Sequence, residues 1–326
     1  MRVTVIGATG HIGTYLVPRL VRAGHDVVAV SRGERDPYQD DPAWKAVESV
    51  HVDREAAEAD GTFGETVRDT DPDAVIDLIC FDRESAESLV DALRGEVQHF
   101  LHCGTIWVHG PSTAVPTTED EPRTRRPLGE YGRGKAEIES FLLEAARQDG
   151  FPATVLHPGH ISGPGWTPVN PAGNVDSEVF ERLARGEEVA LPNFGLETVH
   201  HVHADDVAQA FQRALESWSA AVGESFHVVS PRALTLRGFA EAVAEWFGQE
   251  ADLTYLPFEE WAERPEYDDD AVETTEDHIR HSPNVSIEKT RSRLGYEPRY
   301  SSLEAVREAV DALVEDGAVD PGDSGP

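Results

Sequence analysis

The chain opens with a strand that runs directly into a glycine turn and then into a helix. Residues 3–6 are β-branched and apolar, Gly7-Ala8-Thr9-Gly10-His11-Ile12-Gly13 follows, and residues 12–23 carry apolar positions at helical spacing. Glycine at three of seven positions permits a tight turn, close approach of the backbone to a ligand, and close packing of the helix on a sheet. The first N–H groups of the helix carry a partial positive charge, so the turn suits a diphosphate.

The pattern that follows is the one such a unit requires. Strand-like runs at 27–30, 49–52, 74–80, 99–102 and 153–156 alternate with helical patterns at 86–93 and 131–148. That alternation predicts the α/β class, as a Rossmann-like, doubly wound parallel sheet. Residues 157–200 are rich in Pro and Gly and read as a long functional loop region. Beyond it, helices are expected at 204–217 and 236–247 and strands at 225–229 and 253–256. The acidic stretch 259–282 reads as an exposed helix or a solvated loop. We expect a Rossmann-like nucleotide-binding core over 1–160, with 201–230 returning to it. A smaller substrate-binding region takes 161–200 and 231–318, and 319–326 form a disordered tail.

Charge excludes some partners. With 61 acidic against 28 basic residues the net charge is −33. Nucleic acid and anionic membranes both require a basic footprint, so neither is an expected partner. The basic residues are nearly all arginine, the lysines being Lys45, Lys135 and Lys289. An acidic, lysine-poor surface suits a cytoplasm of molar salt, where screening shortens to about 3 Å. A halophilic archaeon is therefore the expected source. Cys80 and Cys103 sit in apolar strand-like runs and read as buried free thiols of a reducing compartment. With no apolar signal core and no membrane-length apolar run, the expected location is the cytoplasm.

Glu130-Tyr131-Gly132-Arg133-Gly134-Lys135 opens a long helix, so Tyr131 and Lys135 lie on one face, one turn apart. A phenol is a weak base near neutral pH, and a cation beside it is expected to lower its pKa. Cofactor choice is read just past the second strand, where arginine grips the ribose phosphate of NADP and an acid binds the ribose hydroxyls of NAD. Arg32 leans the reading to NADP, and Glu34 keeps NAD open. Asp53, after the third strand, is a candidate for the adenine edge. His200, His201, His203, Asp205 and Asp206 invite a zinc reading, but no metal is expected.

The G-x-x-G-x-x-G spacing resembles the short-chain dehydrogenase/reductases. The segment 99–110, with a hydroxyl at Thr105 five residues before Gly110 and 26 before Tyr131, resembles their extended form. The segment 156–165 resembles the R-P-x-x-x-x-G-P loop of NAD(P)-dependent epimerase/dehydratase proteins, with His157 where arginine is usual. His201 to Ala208 is similar to their H-V-x-D-V-A stretch, and 284–298 to their C-terminal signature.

The resemblance implies Tyr131, Lys135 and Thr105 as catalytic residues. It implies a cofactor site of Gly7, Thr9, Gly10, His11, Ile12, Gly13, Arg32, Asp53, Ile79, Lys135 and His157. Substrate contacts are expected from Trp107, His160, Trp166, Asn193, His200 and His201. The implied activity is NAD(P)-dependent hydride transfer on a sugar or nucleotide sugar, by an epimerase or by a dehydrogenase with net reduction of NADP. Ile106 stands where a dehydratase usually has an acid, so dehydration is the least expected outcome. The rival from another class is a non-catalytic nucleotide-binding sensor or scaffold. A homodimer through the Tyr131 helix is also an expectation of the resemblance.

Overall fold

The computed structural model describes residues 1–121 and 127–322. Its first half alternates β1 (Arg2–Ile6), α1 (His11–Arg22), β2 (Asp26–Ser31), β3 (Glu48–His51), α2 (Arg54–Ala59), α3 (Phe63–Arg68), β4 (Ala74–Asp77), α4 (Arg83–Leu93), β5 (His99–Cys103), α5 (Gly129–Gln148) and β6 (Ala153–Pro158). The second half adds β7 (His160–Ser162), α6 (Glu178–Arg185), β8 (Val189–Pro192), β9 (Thr198–Val199) and β10 (His201–His203). Then come α7 (Ala204–Glu216), α8 (Trp218–Ala221), β11 (Ser225–Val228), β12 (Leu234–Thr235), α9 (Leu236–Trp246) and β13 (Leu253–Leu256). The chain closes with α10 (Phe258–Ala262), α11 (Asp269–His281), α12 (Glu288–Leu294) and α13 (Ser302–Glu315).

Seven strands form one parallel sheet in the order β11-β6-β5-β4-β1-β2-β3. Strands buried on both faces read as continuous apolar runs, as β1, β2 and β4 do. One face packs on α1 and α7 through Leu16, Leu20, Val207 and Phe211. The other packs on α3, α4 and α5 through Phe63, Leu89, Ile138 and Leu142. The chain leaves β1 toward β2 and β3, then returns to β4 on the other side of β1. That reversal opens a crevice beyond the carboxyl ends of β1 and β4, where open α/β sheets bind ligands.

The C-terminal region has a core of its own, in which Phe180 and Leu183 of α6 meet Phe239 and Val243 of α9, Trp261, and Val310 of α13. Three expectations change here. The segment 157–200 is not all loop, because it holds β7, α6, β8 and β9. The acidic stretch 259–282 is helical and only partly exposed: α11 buries Thr275, His278, Ile279 and His281 on one face. Of the tail expected to be disordered, Val319 is buried in the second core and Asp320 pairs with Arg185, while 323–326 lie outside the described residues. Cys80 and Cys103 are both free and buried. Among the described residues no helix is long and apolar enough to cross a membrane.

Candidate active site

The glycine turn sits at the crevice. Gly10 caps α1 without a side-chain hydrogen bond, and the first turn of α1 holds no acidic residue. By contrast, Asp53 caps α2 and Asp82 caps α4 with their carboxylates. Unlike those two, the helix end at the crevice is left without an internal anion, as a seat for phosphate requires. Gly7 has φ +82°, and a Cβ on Gly13 would stand 2.1 Å from the Ala8 carbonyl oxygen. The backbone alone fills this space.

Gly7, Thr9 and Gly10 line a 490 Å³ cavity together with Arg32, Asp53 and Ile79. Gly7, Gly10, His11, Ile12 and Ile79 also line a second cavity of 240 Å³, which reaches Thr105, Tyr131 and Lys135. The two spaces share walls, so a ligand laid across the turn would run from Arg32 at one end to Tyr131 at the other. The residues present fit a dinucleotide.

Thr105, at the end of β5, caps the short turn Ile106–His109, with its hydroxyl accepting from the Trp107 N–H at 3.4 Å. Tyr131 and Thr105 line the same cavity. Lys135 is buried, and its Nζ donates to the Cys103 carbonyl oxygen at 2.7 Å and lies 4.7 Å from the Phe81 ring centre. The expectation for the phenol needs correction. Although Tyr131 is 44% exposed, desolvation of its hydroxyl pushes the pKa up to about 12; the Cys103 thiol adds to the rise and the Thr105 hydroxyl opposes it. The ammonium is turned to a carbonyl, and burial lowers its own pKa. In the free protein the phenol keeps its proton at neutral pH.

Several residues expected in the site belong elsewhere. His157 does not line the cofactor cavities: it is fully buried, Nδ1 accepts from the Thr105 N–H at 3.1 Å, and Nε2 donates to Glu139 Oε1 at 3.0 Å. Trp166 stacks on His11 at 3.7 Å between ring centres and donates to the Ile161 carbonyl, so it braces the glycine turn. Asn193, with φ +51°, bonds Glu197 and shapes a turn.

His200 is buried, donating from Nε2 to the Ser230 carbonyl at 2.8 Å and accepting from the Val285 N–H at 3.3 Å. His201 donates to the Val169 carbonyl at 2.9 Å. Burial lowers His200 to about 4 and His201 to about 3, so both are neutral. Among the described residues, no group of three His, Cys, Asp or Glu is arranged to hold a metal ion. Asp53 lines the larger cavity, but one carboxylate oxygen caps α2 at Ala56. Arg32 lies there beside Glu34, 3.5 Å away.

Trp107 and His160 do stand near the reacting end. The Trp107 ring meets Tyr131 edge-on at 5.9 Å and His160 at 6.3 Å. Sequence reasoning missed His278 and His281 of α11, which pack on Trp107 at 5.2 and 4.2 Å. The available signal was their spacing of three, with Thr275, on one helix face. Phe81, against Lys135, and Glu139, behind His157, were missed as well.

The model of the NAD dependent epimerase/dehydratase family matches residues 3–228. The chain belongs to that family. Within it, the chain is 27% identical to UDP-glucose 4-epimerase of Mycolicibacterium smegmatis, over 95% of this chain and 98% of that protein. It is also 25% identical to the chloroplast stem-loop binding protein of 41 kDa b of Arabidopsis thaliana, over 94% of this chain and 78% of that one. The solved UDP-glucose 4-epimerase of Thermotoga maritima, crystallised with UDP-glucose, has the same fold, with a TM-score of 0.71 at 23% identity. The match covers 97% of this chain and 99% of that one.

Proposed function

We propose that the protein is an NAD(P)-dependent oxidoreductase or epimerase that transfers hydride on a nucleotide sugar, with Tyr131, Lys135 and Thr105 as its catalytic residues. The carrying observation is that these three side chains share one cavity with the glycine turn. A nicotinamide bound there would supply the hydride acceptor or donor. Thr105 orients a substrate oxygen beside the phenol. Tyr131, protonated when free, holds the proton that a keto oxygen receives during reduction and takes it back during oxidation. Lys135 supplies positive charge on the same helix face, one turn away. A sugar nucleotide is favoured because a relative spanning nearly the whole chain is a UDP-glucose 4-epimerase.

Arg32 and Arg35 on the larger cavity lean cofactor choice toward NADP, and Glu34 beside Arg32 moderates that lean. A second reading, a binding protein that keeps the fold, is favoured by the relative named for stem-loop binding. The net charge of −33 weighs against a nucleic-acid partner. The same charge sets the assay conditions, because we infer a salt-adapted protein that loses structure on dialysis into low salt. Full activity in dilute buffer would sink that inference.

The test of function mixes the protein at molar salt with UDP-hexoses and NAD or NADP, following both reduced-cofactor absorbance and sugar isomerisation. Turnover in either channel is expected. Silence in both, with cofactor bound, would favour the binding protein.

A further inference from the structure

We propose that Glu139 and His157 form a buried strut that sets the position of Thr105 against Tyr131; the proposal rests on the hydride-transfer reading above. Tyr131, Lys135 and Glu139 follow one another at intervals of four along α5, so the face that carries the catalytic pair continues into Glu139. Glu139 is buried, and its Oε1 meets His157 Nε2 at 3.0 Å. With the carboxylate as acceptor, that nitrogen carries the ring hydrogen. Nδ1 is then a lone pair, and the Thr105 N–H donates to it at 3.1 Å. Both bonds demand the same tautomer.

The ring also lies flat against the chain just before Thr105. A Cβ on Gly104 would stand 2.4 Å from His157 Nδ1, so only glycine lets β5 pass this close. The Gly104 N–H donates to the Leu156 carbonyl at 2.7 Å, which ties the same point to β6.

The contacts run through three elements. Thr105, just past β5, shares the 240 Å³ cavity with Tyr131 of α5, α5 carries Glu139, Glu139 holds His157 on β6, and His157 holds the Thr105 backbone. Neither Glu139 nor His157 lines the 240 Å³ cavity, so both are positioning residues. Misplacement by about 1 Å at a reacting centre costs about a hundredfold in rate. A strut of this kind therefore acts on kcat, whereas a merely structural pair acts on melting temperature.

Two substitutions separate the strut's ends. His157→Asn keeps an acceptor near the place of Nδ1, facing Thr105. His157→Gln keeps a donor near the place of Nε2, facing Glu139, and loses that acceptor. We expect kcat to fall less than tenfold in His157→Asn and about a hundredfold in His157→Gln, with KM and cofactor affinity unchanged in both. Hydrogen exchange at the Thr105 amide reads the same bond without turnover: slow in the wild type and His157→Asn, fast in His157→Gln.

Equal kcat in the two variants, or a change confined to KM or melting temperature, would overturn the strut. If the wild type turns over no sugar nucleotide, the functional reading fails and the Thr105 exchange rates alone decide whether the bond is held by His157. If His157→Gln does not fold, Glu139→Ala makes the test from the other end, because it frees the ring to turn from Thr105.

Discussion

The two walls of the cleft are built from different chemistry. On the nucleotide side three glycines and an uncapped helix end present backbone, and Thr105, Tyr131 and Lys135 line a small cavity beside them. On the opposite side His160, His278 and His281 surround Trp107, and His200 and His201 stand beside His160. All five bond main-chain groups through identified ring nitrogens, four of them to carbonyls: His200 to Ser230, His201 to Val169, His278 to Thr274 and His281 to Asp277. The fifth, His160, accepts from the His200 N–H. The side with the more conspicuous residues is thus the side where side chains are spent on architecture. At His200 and His201 imidazole serves as a clip between chain segments about 30 residues apart, whereas His278 and His281 bond carbonyls of their own helix.

If that division is right, the largest effect comes from the nucleotide wall. Tyr131→Phe should lower kcat by about 10²–10⁴-fold with cofactor affinity intact, read by steady-state kinetics and a binding titration. A parallel loss from His200→Gln, measured per folded molecule, would break the comparison.

The histidine wall should answer in stability. His200 and His278 are held at about 4 and His201 at about 3, in each case chiefly by desolvation. Their folded pKa values lie below the unfolded value near 6.5, so the unfolded chain takes up protons first. Stability is then full above about pH 6.5 and falls as pH drops toward 4, by up to about 1.4 kcal/mol per pH unit for each histidine. Asp206, raised to about 6 by burial, acts in the opposite sense, as do Glu119 and Glu308, but the histidines lowered by burial outnumber these three. Thermal melts at fixed salt should show the midpoint dropping between pH 7 and pH 5, and a flat profile would contradict the assignment. His200→Leu leaves the Ser230 carbonyl and the Val285 N–H without their partner, and should cost about 1–3 kcal/mol for each group left unpaired.

The smallest expected change sharpens the nucleotide wall. Arg32→Ala should raise the KM for NADP about tenfold, equivalent to about 1.4 kcal/mol, and leave that for NAD nearly unchanged. Equal effects on both cofactors would mean that Glu34 holds Arg32 away from the ligand.

The nucleotide wall was legible because its signals are local. The glycine turn, the strand runs and the spacing of Tyr131 and Lys135 each declare themselves within a few residues, and the family's loop pattern placed Thr105. The histidine wall was not legible for the opposite reason. His200 depends on Ser230 and Val285, and nothing in a sequence marks which carbonyl a distant imidazole will reach. Trp166 was read as a substrate contact from its loop, but its partner is His11, far away in the chain. The acidic stretch 259–282 concealed α11, because its exposed positions carry the charge while Thr275, His278, Ile279 and His281 form a narrow buried stripe. Spacing alone does not show the direction of the Tyr131 shift, because it reveals neither the burial of the hydroxyl, which chiefly raises it, nor the carbonyl that Lys135 bonds.

The most direct test of hydride transfer at Tyr131 uses a nucleotide sugar deuterated at the carbon bearing the reacting hydroxyl. Turnover at molar salt should slow with the label, and the deuterium should appear on the nicotinamide or remain in the isomerised sugar, with Tyr131→Phe abolishing both outcomes. Washout of the label into solvent, or transfer that persists in Tyr131→Phe, would contradict it.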